Sequence, residues 1–164
     1  MSHAISAAER RDLPALHRLV VALARYERLE DQVVSSVDDF AEALFGEHRG
    51  GVEAILLRAS GDMEPVAFAL FFHNFSTFLG RRGLYLEDLF VEPGHRGRGY
   101  GRALLVHLAK LAVERRCGRF EWSVLDWNVD AQAFYRGLGA TVMPDWRITR
   151  VTGDALQRLA ALET

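Results

Sequence analysis

The chain has 164 residues, 49% of them apolar and 26% charged, the balance expected of one soluble globular domain, 1–164, with a core of its own. A formal net charge of −2 argues against general nucleic-acid affinity, no window is apolar for long enough to span a membrane, and the N-terminus has no basic stretch followed by an apolar signal core, so a cytoplasmic protein is expected. The lone Cys117 excludes an internal disulfide and a cysteine-based metal cluster; the six histidines form no H-x-x-x-H or H-E-x-x-H pair, and no metal is expected.

Residues 3–8 read as a weak first strand. Asp12, with Pro14 behind it, predicts a helix start, and Leu13, Leu16, Leu19, Val20 and Leu23 recur at helical spacing up to Tyr26. Ser36 and Asp39 match a capping box for a second helix reaching about Phe45. Strands are predicted over 52–59, 66–75 and 84–91, the last ended by Pro93-Gly94. A helix from Gly101 carries Leu104, Leu105, Leu108, Leu111 and Ala112 on one face. Residues 119–125 alternate as a strand, Asn128 caps a helix ending at 137–139, 146–151 is a last strand, and a final helix runs over 154–162. This order predicts an α/β fold: a mixed central sheet with helices on both faces and a right-handed parallel crossover in its strand–helix–strand unit.

Between the 84–91 strand and its helix lies Arg96-Gly97-Arg98-Gly99-Tyr100-Gly101-Arg102. Glycines let a backbone approach a ligand closely, the following helix offers unpaired amides and the positive end of its dipole, and arginines suit phosphate geometry. The segment reads as a pyrophosphate cradle. A dinucleotide fingerprint needs G-x-G-x-x-G in the first strand–helix unit, whereas the spacing here is G-x-G-x-G and falls past mid-chain. A Walker loop needs Gly-Lys-Ser/Thr, which is absent. Two readings stay open: a phosphate-binding loop of the spacing R-x-x-G-x-G through Arg96, Gly99 and Gly101, and a plain tight turn with a basic surface.

Six segments in order carry a wider resemblance: Leu23-Ala24-Arg25-Tyr26-Glu27, Phe45-Gly46-Glu47-His48, Leu84-Tyr85-Leu86-Glu87-Asp88-Leu89-Phe90-Val91, the arginine–glycine loop, Trp127-Asn128, and Phe134-Tyr135-Arg136 with Gly139-Ala140. Together they resemble the GNAT superfamily of N-acetyltransferases, in particular its spermidine/spermine and thialysine acetyltransferases. The resemblance implies the GNAT acyl-CoA N-acyltransferase fold, with acetyl-CoA as co-substrate lying where two parallel strands, 84–91 and 119–125, splay apart. It implies direct acetyl transfer to a primary amine of a small cation (polyamine, diamine or thialysine-like amino acid) by a homodimer, for which Phe71, Phe72, Phe75 and Phe78 offer apolar surface.

The resemblance also implies roles. The backbone of Leu89, Phe90 and Val91 would pair with the pantetheine arm. The loop opened by Arg96 would hold the pyrophosphate on the amides of Gly97, Arg98, Gly99, Tyr100, Gly101 and Arg102, with Asn128 farther along the cofactor. Tyr135 would protonate the departing thiolate; an unperturbed phenol near 10 and thiol near 8.5 make that transfer slightly uphill until the site tunes it. Glu87 would take the amine's proton, Tyr26 and Glu27 would contact the amine, and Glu121, Trp122 and Ser123 would line its channel. The family's glutamate before the last strand is missing from the shorter Met143-Pro144-Asp145-Trp146, which leaves Asp145 as its candidate stand-in. Because strand side chains alternate, Asp88 is expected opposite Glu87 unless the strand bulges. The rival functions are acetylation of another amine (an aminoglycoside, a protein terminus or lysine) and a non-catalytic acyl-CoA sensor.

Overall fold

In the computed structural model, which describes residues 2–47 and 50–162, the apolar runs fall on one five-stranded sheet. His48, the end of one family-like segment, lies outside the described residues. Strands β1 (His3–Ala7), β2 (Glu53–Ala59), β3 (Ala67–Ser76) and β4 (Arg81–Val91) pair antiparallel in sequence order, and β5 (Arg119–Trp122) joins parallel to β4. A parallel step needs a crossover, and helix α3 (Tyr100–Glu114) supplies it. Helices α1 (Leu13–Glu27) and α2 (Val37–Phe45) come between β1 and β2; α4 (Val129–Gly137) and α5 (Gly153–Ala160) follow β5. The chain divides into two compact units, Met1–Ser123 and Val124–Thr164, and the whole sheet belongs to the first.

The mixed sheet with a helical layer on each face is the expected architecture. On one face Leu13, Leu16, Leu19 and Leu23 of α1 and Leu44 of α2 pack with Ala54, Leu56, Phe68 and Phe90. On the other, α3 buries Leu104, Leu105, Leu108 and Ala112 and touches β3, β4 and β5. A Cβ placed on Gly101 would stand 3.8 Å from the side chains of Leu89 and Val91, so α3 begins over the β4 face opposite Phe90. The Ser36–Asp39 capping box forms as predicted, and Asn128 caps α4 by accepting from the Ala131 N–H at 3.2 Å.

Four expectations are corrected. Asp12 does not cap α1 with its side chain. Its carboxylate accepts from the Glu9 N–H at 3.0 Å and from Arg58 of β2 at 2.6 Å, because a guanidinium makes a stronger, charge-assisted bond than a helix amide. Strand β5 stops at Trp122 instead of 125. Phe71 is core; of the four phenylalanines offered as an interface, Phe75 and Phe78 are the well-exposed ones, at the β3–β4 hairpin end. No strand forms over 146–151: Trp146 and Ile148 alternate as a strand would but are 74% and 73% exposed. That segment has no ladder partner among the described residues, and an unpartnered strand leaves its amides to water.

Phe68 is fully buried at the centre of the sheet, whereas Phe78 is fully exposed. Denaturant titration should show Phe68→Ala losing about 3–5 kcal/mol and Phe78→Ala within about 0.5 kcal/mol of wild type.

Candidate active site

Strands β4 and β5 are in register from Gly83 and Arg119 to Leu86 and Trp122, and there the pairing ends. The same point in β4 carries a bulge. Phe71 of β3 lies opposite Leu86 and Leu70 lies opposite Asp88, which leaves Glu87 as the extra residue. A bulge bends its strand and sharpens the local twist, so β4 turns away where β5 stops. The bulge at Glu87 thus coincides with the end of the β4–β5 pairing, the place where the resemblance puts the V.

The bulge also breaks the alternation on which the sequence reading of Asp88 rested. Leu86 shares a face with buried Phe71, while Asp88 shares a face with Leu70 and Phe90, the side covered by α1. That brings Asp88 to the C-terminal end of α1, where Glu27 is the last residue. Burial, then the charges of Glu87 and Glu27, push the Asp88 carboxyl up to about 6. Burial also raises Glu27. Three carboxylates thus converge, one more than the sequence singled out. The available signal was the pair Glu87-Asp88 inside an apolar strand covered on both faces, where regular alternation leaves no comfortable side for one of them.

Beyond the bulge the ladder decides which backbone groups are open. The Glu92 N–H donates to the Val66 carbonyl at 3.0 Å, so Glu92 and, two residues back, Phe90 turn their polar groups toward β3. Leu89 and Val91 turn theirs to the side that β5 has vacated. Of the three residues expected to pair with an extended ligand, Leu89 and Val91 have the geometry, and Phe90 has its amide committed to the sheet and its ring buried in the core. The Val91 carbonyl already accepts from Arg96 Nε at 3.0 Å.

A short turn, Pro93–His95, leads into the glycine loop. Gly97 and Gly99 have φ of +74° and +81°, the left-handed region that glycine enters without strain, and a Cβ at either would meet nothing within 4 Å. The backbone is thus exposed on that side. Gly99 is the N-cap of α3 and has no side chain to cap it, and the first helix bond runs from the Ala103 N–H to the Gly99 carbonyl. The amides of Tyr100, Gly101 and Arg102 precede that bond and are the unpaired donors an anion needs. The Tyr100 side chain is buried, so it offers its amide alone. Arg102 is exposed, and Arg98 donates to the Gly94 carbonyl at 3.2 Å. The Arg96 guanidinium is turned elsewhere: its carbon is 4.3 Å from the centroid of the Tyr26 ring and 5.6 Å from that of Phe90.

Of the expected channel residues, Glu121 is already engaged, by Arg119 at 2.8 Å and by the Asn74 amide at 3.1 Å. Ser123 shares a hydrogen bond of 2.9 Å with the Tyr85 hydroxyl, and the Trp122 ring packs 4.9 Å from Phe120. Tyr26, Glu27, Glu87, Leu89, Val91 and the loop all belong to the first unit, on the ends of α1 and β4. In the second unit, Asn128 starts α4, Tyr135 is half-buried in its last turn with its ring 5.4 Å from Phe134, and Asp145 is exposed between α4 and α5.

A family model described as "Acetyltransferase (GNAT) family" matches residues 7–140. The chain is 33% identical to the L-ornithine N5-acetyltransferase NATA1 of Arabidopsis thaliana, over 92% of its own length and 85% of that protein. It is 35% identical to the thialysine N-epsilon-acetyltransferase of Bos taurus, over 95% and 96% of the two chains. Among solved structures, integron cassette protein VCH_CASS6 from the mobile metagenome of V. cholerae superposes with a TM-score of 0.82 at 30% identity, covering 99% of each chain.

The raised Asp88 carboxyl has a stability consequence whose sign follows from linkage. Its folded value, about 6, lies above the ordinary 3.8, so the folded state holds the proton more tightly and loses stability as pH rises from about 4 to 6. Above that window the ionised group costs up to about 3 kcal/mol. Thermal melts should show Asp88→Asn more stable than wild type at pH 8, with the gain largely gone at pH 4; a gain independent of pH would remove the charge as its cause.

Proposed function

The chain belongs to the acetyltransferase (GNAT) family, and from that premise we propose that residues 1–164 work as one cytoplasmic, homodimeric N-acetyltransferase domain that moves the acetyl group of acetyl-CoA to a primary amine of a small cation. A diamine, a polyamine or an amino acid with a side-chain amine, such as ornithine or thialysine, fits that description. The observation that carries the reading is the meeting of three carboxylates with an open strand edge: Glu27, Glu87 and Asp88 gather where β4 leaves β5. A cation is what such a cluster favours, since it offsets their mutual repulsion.

Acetyl-CoA supplies the acetyl group as a thioester. The loop amides from Gly97 to Arg102 hold its pyrophosphate at the start of α3. The backbone of Leu89 and Val91 pairs with its arm, and the Leu89 N–H donates to the carbonyl oxygen as negative charge builds there. Leu89 is preferred over Phe90 because the Phe90 amide is used by the ladder. The substrate ammonium passes its first proton to the carboxylates, through exposed Glu87, the neutral nitrogen forms the new C–N bond as the C–S bond breaks, and the protonated amide nitrogen gives up its second proton to water. Tyr135, assigned by the resemblance of the Phe134-Tyr135-Arg136 segment, gives its phenolic proton to the thiolate and recovers one from water. No acetyl-enzyme is required.

The test is thiol release from acetyl-CoA with ornithine, thialysine, lysine, putrescine, spermidine, spermine and an aminoglycoside, comparing wild type with Tyr135→Phe and Glu87→Gln. At least one small diamine or amino-acid amine should be turned over. Tyr135→Phe should lower kcat by about 10²-fold or more, within the range for a general acid, and Glu87→Gln should lower kcat/KM. Turnover on the aminoglycoside alone would move the substrate class. Acetyl-CoA binding with no turnover on any amine would replace the enzyme reading with a sensor.

A further inference from the structure

The resemblance puts Arg96 at the opening of the acetyl-CoA loop, and the structure shows what its guanidinium touches. The Nε–H donates to the Val91 carbonyl, at the end of β4 and on its open edge. The guanidinium carbon lies 4.3 Å from the centroid of Tyr26, in the last turn of α1, and 5.6 Å from that of buried Phe90. Arg96 itself leads directly into Gly97 and the loop. One cation therefore ties together the loop, the strand edge and the C-terminal end of α1. Each contact is individually favourable: cation–π attraction strengthens as the pair is desolvated, and a positive charge suits a helix C-terminus. Tyr26 is 40% exposed, and its neighbour Glu27 is one of the charges that act on Asp88. Displacement of Arg96 would thus be felt at the carboxylate cluster through two adjacent residues of α1.

We propose that Arg96 is a positioning residue that couples occupancy of the acetyl-CoA loop to affinity for the amine, by holding the Tyr26 ring and the end of α1 against β4. The proposal rests on the amine acetyltransferase reading. Binding on the loop amides fixes the backbone that follows Arg96, and pairing of the arm with Leu89 and Val91 fixes the strand before it, which together fix the guanidinium and with it Tyr26. Coupling of this kind is reciprocal: coenzyme raises amine affinity by the same factor as amine raises coenzyme affinity. A partly exposed cation–π contact sets the scale at about 3- to 10-fold.

The test uses the full chain, CoA and the best amine from the thiol-release panel. Arg96→Gln keeps an N–H donor and loses the cation; Arg96→Lys keeps the cation and loses the planar fork. At saturating acetyl-CoA, Arg96→Gln should raise the amine KM about 3- to 10-fold while the CoA Kd, measured by calorimetry, stays within about twofold; Arg96→Lys should recover part of the loss. Tyr26→Leu should show a comparable rise, and the double variant Arg96→Gln/Tyr26→Leu should be no worse than the poorer single one. A readout without turnover comes from 3-fluorotyrosine placed at position 26: CoA should shift its ¹⁹F resonance in the wild type and not in Arg96→Gln. A CoA Kd weakened more than tenfold in Arg96→Gln with an unchanged amine KM would overturn the proposal and make Arg96 a phosphate ligand. Additive single effects, or a resonance indifferent to CoA, would overturn it as well. If CoA shifts the resonance but no amine is acetylated, the coupling stands and the substrate reading falls.

Discussion

One extra residue in β4 organises the site. A regular strand would continue its parallel pairing with β5 and leave no gap for an extended ligand. The bulge at Glu87 sits one residue past Leu86, the last residue of β4 in register with β5. It bends β4 away and frees the backbone groups of Leu89 and Val91 on the side that β5 would have covered. The same residue reverses side-chain parity, so that Asp88 joins Phe90 on the α1 face instead of following Leu86. The open edge and the third carboxylate therefore have a single cause. The rest of the sheet makes the distortion tolerable: β3 and β4 pair over their full length on either side of it, and Phe68 and Phe90 clamp the far side against the leucines of α1.

This arrangement sets stability against function. Three carboxylates drawn together, two of them half-buried, raise the free energy of the empty protein; burial, then the charges of Glu87 and Glu27, push Asp88 up to about 6. The influences on Asp88 are its burial and the charges of Glu87 and Glu27, and no cation stands among them. Under the proposed reaction the cation that offsets the cluster is the substrate amine. Local cost tolerated where a ligand binds is the usual signature of a functional site, and it separates these three residues from the paired charges elsewhere on the surface.

Most of the fold was legible in the sequence because its signals were local. Helical spacing in α1 and α3, the Ser36–Asp39 box, the Asn128 cap and the glycine loop each depend on residues close in the chain, and each formed. What escaped depended on partners far away in the chain. Asp12 looks like a helix cap until Arg58, 46 residues on, claims its carboxylate. The 146–151 segment has a strand's alternation but no ladder partner among the described residues, and pairing, not pattern, makes a strand. The bulge is of the same kind: register between two strands is not written in either one alone, although two adjacent acids inside an apolar run mark where it falls. The contacts of Arg96 with Tyr26 and Phe90 are likewise set across the fold, not by its place in the motif.

Recognition and chemistry make opposite demands on the carboxylate cluster. A bound ammonium stabilises the ionised carboxylates and is stabilised by them, so binding raises the amine's own pKa from an ordinary value near 10. The better the cluster holds the cation, the harder the nitrogen is to deprotonate, and only the neutral nitrogen forms the C–N bond. Three carboxylates with unequal surroundings ease this conflict. Asp88 and Glu27 are both raised by burial, and a cation beside them would favour their ionised forms, which under the proposed reaction favours binding. Glu87, on the bulge and exposed, is the member with water within reach, so a proton passed to it has a route out. Under the proposed reaction, Glu87 would therefore serve proton removal, and Asp88 with Glu27 cation selection. The division follows from which carboxylates the fold buries, and the position of the bulge decides that.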